Sequence, residues 1–161
     1  MGNLKMLIDP GVALGPTRYG LGPTEAEFEA LEYSRALIME VAKEGEFVVV
    51  THYHYDHHPF PDDSEMYERC FGGKVAFAKD RKNNINLSGK QRGRIFEENA
   101  SPLLKKLEWA DGEECEVRGV KLSFSPAVWH GDVGSRVGTV VMVCAEAGGE
   151  SFLFGSDAQS L

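Results

Sequence analysis

Apolar and polar positions along this chain follow two different periods, and the changes of period mark out its elements. Leu4-Lys5-Met6-Leu7-Ile8 is a short, mostly apolar run stopped by Asp9-Pro10-Gly11, which predicts a strand over 4–8. Thr24-Glu25-Ala26-Glu27 then has the form of a capping box, in which the hydroxyl accepts from the third helical N–H and Glu27 reaches back. Phe28, Leu31, Ile38 and Val41 recur on one face behind it, so 24–43 reads as an amphipathic helix ended by Gly45. Phe47-Val48-Val49-Val50 is apolar at every position and β-branched, the mark of a strand buried on both faces. Asp62-Asp63-Ser64-Glu65 opens a short helix to about Cys70, Gly72-Gly73 interrupts, and Lys74–Ala78 is the next strand. Residues 89–108 read as mostly helical, with a break near Ser101-Pro102. The remainder is β-rich: 114–118 and 120–124 joined at Arg118-Gly119, then 138–145 and 150–154 joined at Gly148-Gly149. Helices set among strands and followed by hairpins predict an α/β fold with mixed sheets and a layered core.

Composition narrows the class. A length of 161 residues suits one domain spanning 1–161, and 42% hydrophobic with 26% charged residues is an ordinary globular mix. No apolar run approaches the ~20 residues of a membrane span, and the N-terminus lacks the apolar stretch of a secretory signal. Cys70, Cys115 and Cys144 are odd in number and widely spaced, which favours reduced thiols in the cytoplasm over a disulfide scaffold. The net charge of −8 argues against a general nucleic-acid or anionic-membrane coat, so a nucleic-acid partner is not indicated.

The chemistry concentrates in Thr51-His52-Tyr53-His54-Tyr55-Asp56-His57-His58, which holds four of the five histidines directly after the buried strand. Residues two apart on an extended chain point the same way, so His52 and His54 can converge on one metal. A turn at Tyr55 can then swing Asp56 and His57 toward an adjacent position. Imidazole and carboxylate suit Zn²⁺, with Fe or Mn in similar sites, and need no cysteine. Paired metals about 3.5–4 Å apart can share a hydroxide and make it nucleophilic near neutral pH. The plain alternative is a His-rich surface loop. The order H-x-H-x-D-H directly after V-V-V-T is far more specific than histidine content alone.

That block resembles the defining motif of the metallo-β-lactamase superfamily. The likeness is nearest to a mainly archaeal group of predicted metal-dependent hydrolases, and it is also carried by Ile8–Pro16, Ile85-Asn86 with Ser88, and Phe154-Gly155-Ser156-Asp157. The resemblance implies an αββα sandwich. It implies that His52, His54 and His130 bind the first metal, that Asp56 and His57 serve the second, and that Asp157 bridges the two. Members with two metals usually supply a further histidine well beyond the bridging Asp, and relatives usually have an earlier strand. Here no histidine follows His130 and the chain ends four residues after Asp157. The sandwich is therefore expected to be incomplete in its C-terminal half and trimmed at both ends, with a second metal site incomplete unless another chain contributes. A sheet without its last helices would expose a large apolar face, which either a homo-oligomer or the rest of a longer protein would cover.

Other residues extend the picture. Asp9, at a strand end, is expected to orient an imidazole that binds metal. Tyr53 and Tyr55 alternate with the histidines and are expected to pack on the sheet. His58 is either an acid for the leaving group or a solvated loop residue beside Pro59. The cysteines read as small core residues. Lys79, Arg81, Lys82, Lys90, Arg92 and Arg94 form a basic stretch interrupted only by Asp80. It is either a solvated surface or an anion-binding rim in which Lys90 and Arg92, with Asn86 and Ser88, hold a phosphate or carboxylate. The function expected is a metal-dependent hydrolase acting on a small-molecule ester, lactone or thioester or on a phosphodiester, with Asp56 positioning the hydroxide. An iron-dependent, dioxygenase-like oxidoreductase on the same fold and a non-catalytic metal-stabilised binding module are the alternatives. In the diiron flavoprotein branch a glutamate typically stands where this chain has His54, which argues against that version.

Overall fold

The computed structural model describes residues 4–15, 17 and 19–159. Met1–Asn3, and Pro16 of the Ile8–Pro16 stretch, lie outside them. Four parallel strands, β1 (Met6–Ile8), β2 (Phe47–Val50), β3 (Val75–Ala78) and β4 (Lys106–Trp109), form one sheet in the order β1-β2-β3-β4. The helices α1 (Glu25–Ala42), α2 (Ser64–Phe71) and α3 (Leu87–Ala100) are the crossovers between successive strands. An antiparallel sheet follows in the order β10-β9-β6-β5, from β5 (Glu114–Val117), β6 (Val120–Phe124), β9 (Val143–Ala147) and β10 (Glu150–Phe154). β7 (Val128–Trp129) pairs with β8 (Thr139–Val140) in a small ribbon.

The unbroken apolar run in β2 is explained by two cores. Val48 and Val50, with Ala76 and Ala78 of β3, face a core shared with Ala42 of α1, Tyr67 and Phe71 of α2, and Phe96 of α3. Val49 and Phe77 point the other way, into a second core with Leu122, Phe124 and Val143 of the antiparallel sheet. A strand between two layers must be apolar on both faces. The layers are thus helices, parallel sheet and antiparallel sheet. Both hairpin loops were legible: Arg118-Gly119 and Gly148-Gly149 have positive φ at both positions (51° and 75°, 59° and 82°), as the strand twist demands of a two-residue turn.

Four expectations change. The helix expected to run through 89–108 ends at Ala100, and 106–109 is strand β4, paired in register with β3 (Ala76 opposite Leu107). Pro102 stops the helix, and an edge strand of alternating polarity carries little periodic signal of its own. The strand expected over 138–145 is two strands. Val141 leaves the ladder to donate to the Thr51 carbonyl (3.0 Å), and Met142 donates to the Ser125 hydroxyl (2.9 Å), so the chain changes sheets there. On α1, Phe28 and Val41 are exposed, while Ile38, Met39 and Ala42 pack inward. Arg35 sets that rotation by holding Asp63 with two N–H···O bonds of 2.7 Å. Asp63 in turn caps α2 through the Met66 N–H (3.0 Å).

The outer face of the antiparallel sheet, finally, is not a large apolar patch. Its inward positions are Val120, Leu122, Phe124, Val143 and Ala145, and the alternate positions are Glu114, Glu116, Lys121, Ser123, Cys144 and Glu146. This is the alternation of an antiparallel sheet with one solvated side. Leu153 on β10 is the large exposed apolar side chain of that face among the described residues.

Candidate metal centre

The strand ends bring the histidines together. Thr51 leaves β2 with its N–H donating to Asp9 Oδ1 (2.7 Å) and its hydroxyl donating to Asp9 Oδ2 (2.6 Å). The same hydroxyl oxygen lies 2.6 Å from Ser156 Oγ and 3.2 Å from His52 Nδ1. With its own proton given to Asp9, it accepts from both, which puts the His52 proton on Nδ1 and leaves Nε2 unprotonated. Asp9 Oδ2 also takes the Nδ1 proton of His57 (2.8 Å), so that ring too presents Nε2. Asp9 and Ser156 both hold positive φ (52° and 53°), a strained conformation at the ends of β1 and β10 that aims these side chains inward.

His52, His54, His130 and Asp157 offer ligand atoms that all lie within 4.8 Å of one another. His52 Nε2 is 3.1 Å from His54 Nδ1. Asp157 Oδ2 stands between rings, 3.2 Å from His130 Nε2, 3.3 Å from His57 Nε2 and 3.8 Å from His52 Nε2. Asp56, with its side chain 58% exposed, reaches His57 Nε2 at 3.8 Å. The geometry therefore brings all six sequence-predicted metal residues to one place, with Asp157 central. Asp9, His52 and His57 also lie close enough to hold an ion. Asp9 already accepts three hydrogen bonds, two from Thr51 and one from the His57 ring, an arrangement that suits a residue orienting His57. An Asp9→Ala chain is expected to bind zinc about 10–100-fold more weakly, as loss of such an outer partner does; an unchanged zinc affinity by calorimetry would contradict this.

Electrostatics fit neutral donors. Burial, then the neighbouring imidazoles, push His52 well below the usual range. Burial, His130 and Arg92 lower His54. For His57 burial opposes the charge, but the bond to Asp9 and the charges of Asp9, Asp157 and Asp56 raise it. A cation there would displace that proton.

His58 is neither solvated nor aimed at the cluster. It is fully buried, ringed by Tyr53, Tyr55 and Phe96, and its Nε2 has no hydrogen-bond partner among the described residues. Burial lowers its pKa to about 4. Between the ordinary ~6.5 and that value the unfolded chain binds more protons. The stability due to this group is therefore present above pH 6.5 and lost as pH falls toward 4, on the order of 3 kcal/mol. His52 and His54 act in the same direction and His57 in the opposite one. Urea unfolding of the metal-free chain should show this loss, and His58→Gln should shrink it; an equally steep pH dependence in the variant would refute the assignment.

The basic stretch divides. Lys79 is buried and pairs with Asp111, while Tyr53, also buried, donates its hydroxyl to the Lys79 carbonyl and so ties the histidine loop to β3. Asn86, Ser88 and Arg92 line a cleft of about 210 Å³ that includes His52 and His54. Lys90 lines a different groove, with Arg81, Lys82 and Arg94, on another face of α3. Asn86 is engaged at both ends of its amide: Oδ1 accepts from Gly89 N–H (2.7 Å) as the cap of α3, and Nδ2 donates to the Arg136 carbonyl (2.6 Å). Sequence reasoning missed Thr51, Gly11 and Arg136. Gly11 packs so tightly that a Cβ would overlap the backbone of His57 and His58, a contact between distant stretches with no local signal.

Layers, strand order and the site at the strand ends define the metallo-β-lactamase fold. The structure resembles that of a possible metal-dependent hydrolase from Veillonella parvula (TM-score 0.62, 20% identity, all of this chain and 59% of that one). It also resembles the metallo-β-lactamase fold protein YhfI from Bacillus subtilis (TM-score 0.51, 13% identity, 97% of this chain and 52% of that one). In sequence it is similar to UPF0282 proteins of Thermococcus gammatolerans (46% identical over 99% of this chain, 56% of the relative) and Thermococcus onnurineus (47% over 98%, 55% of the relative). The chain spans about half the length of these curated relatives. No family model matches it. Among the described residues no helix is long and apolar enough to cross a membrane.

Proposed function

We propose that this chain carries the centre of a metal-dependent hydrolase acting on an ester, lactone, thioester or phosphodiester. One observation carries the reading: three imidazoles and a carboxylate from three separate stretches converge at the strand ends. The donors fit a cation on their own chemistry, since His52 and His54 are held neutral and two rings are fixed with Nε2 facing inward. Three nitrogens and an oxygen without thiolate suit Zn²⁺ first, with Fe and Mn as alternatives. His52, His54, His130 and Asp157 would hold one ion; Asp56 and His57, sharing Asp157, would hold a second less completely. Such a cation, when bound, lowers the pKa of water and supplies a hydroxide near neutral pH. Asp56, the most open carboxylate of the group, orients the attacking water and accepts its proton. The unpaired Cys70, Cys115 and Cys144 support a reducing, cytoplasmic setting.

Elemental analysis of the chain purified without added metal, followed by a panel of esters and phosphodiesters, tests this. Zinc with turnover that falls about 10²–10⁴-fold in Asp56→Asn is expected. Iron with oxygen-dependent absorbance would select the oxidoreductase reading, and a chain with neither metal nor turnover would overturn both.

A further inference from the structure

We propose that Arg92 and Arg136 form a clamp for an oxyanion, a phosphate or carboxylate group of the substrate, beside His52 and His54. The proposal rests on the hydrolase reading for its biological meaning and on four structural observations for its geometry. First, both arginines line the 210 Å³ cleft that includes His52 and His54, one from α3 and the other from the segment between β7 and β8. Second, that lining contains no carboxylate, although the chain carries 25 acidic residues against 17 basic ones. Third, neither guanidinium has an ion-pair partner among the described residues. By contrast, Arg81 is paired with Glu97 and Arg94 with Glu98 in the neighbouring groove. Fourth, the Arg92 guanidinium is fixed by other means. Arg92 lies over the Tyr55 ring, 5.0 Å from its centroid, and Tyr55 is itself stacked on Phe60 at 4.5 Å.

A guanidinium held over a ring by a cation–π contact gives up none of its N–H donors, which remain able to take an oxyanion with two parallel bonds. Arg136 is held by its backbone, through the Asn86 bond to its carbonyl, which leaves the side chain uncommitted. Asn86 thus joins the start of α3 to the Arg136 segment and sets the spacing of the two arms. An adjoining cavity of about 540 Å³, lined by Trp129 and sharing Ile85, Asn86, Arg136 and Thr139 with the cleft, leaves room for the organic part of a small molecule. Two cations, no acid and an aromatic-walled neighbour describe a site for small anionic esters.

Calorimetric titration with inorganic phosphate and, separately, with succinate tests the clamp. It is done at low ionic strength and pH 8, on the metal-free chain and again with one equivalent of zinc. At least one anion is expected to bind the metal-free chain. Arg136→Gln and Arg92→Gln should each weaken it about tenfold, the loss of one charge-assisted contact. Arg92→Lys should fall between, and Lys82→Gln, in the other groove, should match the wild type. Tighter phosphate assigns a phosphoryl substrate, and tighter succinate a carboxylate one. No binding of either anion, wild-type affinity in both glutamine variants, or an equal loss in Lys82→Gln overturns the proposal. Metal content separates the two readings. A chain that takes up no zinc, iron or manganese yet still shows arginine-dependent binding loses the hydrolase assignment and keeps the clamp, while a metal-loaded chain indifferent to Arg92 and Arg136 does the reverse.

Discussion

A His52→Ala chain is expected to bind zinc more than about a hundredfold more weakly than the wild type, because loss of an outer partner alone costs 10–100-fold and His52 is a direct donor. His52 is the most constrained ring of the cluster: buried, oriented by Thr51, and within 4 Å of donors on both His54 and Asp157. His54→Ala and His130→Ala should act alike. Asp56→Ala should spare the tight equivalent and remove only a weaker second one, since the ion-pair contact of Asp56 is with His57. Isothermal titration with zinc distinguishes these outcomes. Two equal tight equivalents in the wild type, without association of chains, would contradict the unequal sites, and an unaltered first affinity in His52→Ala would remove the centre itself.

Gly11→Ala is expected to be the most damaging single methyl group in the chain. The added carbon would meet peptide backbone at His57 and His58 rather than a side chain that can swing aside. Overpacking typically costs about 1–3 kcal/mol, and an immovable neighbour places this site at the upper end. The displacement falls on His57, so zinc affinity at the second position should drop with the urea midpoint. Ala substituted at the open Gly22, which has no neighbour within 4 Å, should leave both unchanged. Wild-type stability in Gly11→Ala would mean that the turn after β1 does not buttress the histidine loop.

These two positions show what could be read in advance. His52, His54, Asp56 and His57 were legible because their spacing is local, two apart on an extended segment and then across a turn. His130 and Asp157 are isolated, and only the family resemblance pointed to them; their place beside His52 depends on how β7 and β10 close over the parallel sheet. Gly11, Thr51 and Arg136 were not legible as site residues because their roles are contacts across long separations. β4 was missed for a related reason: Lys106-Leu107-Glu108-Trp109 becomes a strand by pairing with β3, not by its own pattern. Lys79, read as part of a basic rim, is a buried partner of Asp111. Charge in a sequence window does not say which side chains reach solvent.

Zinc-edge X-ray absorption on the chain loaded with one equivalent tests the central assignment most directly. A shell of imidazole nitrogens completed by carboxylate oxygen and free of sulfur is expected, losing one imidazole in His130→Ala. A shell containing thiolate, or one unchanged by removal of His130, would contradict it.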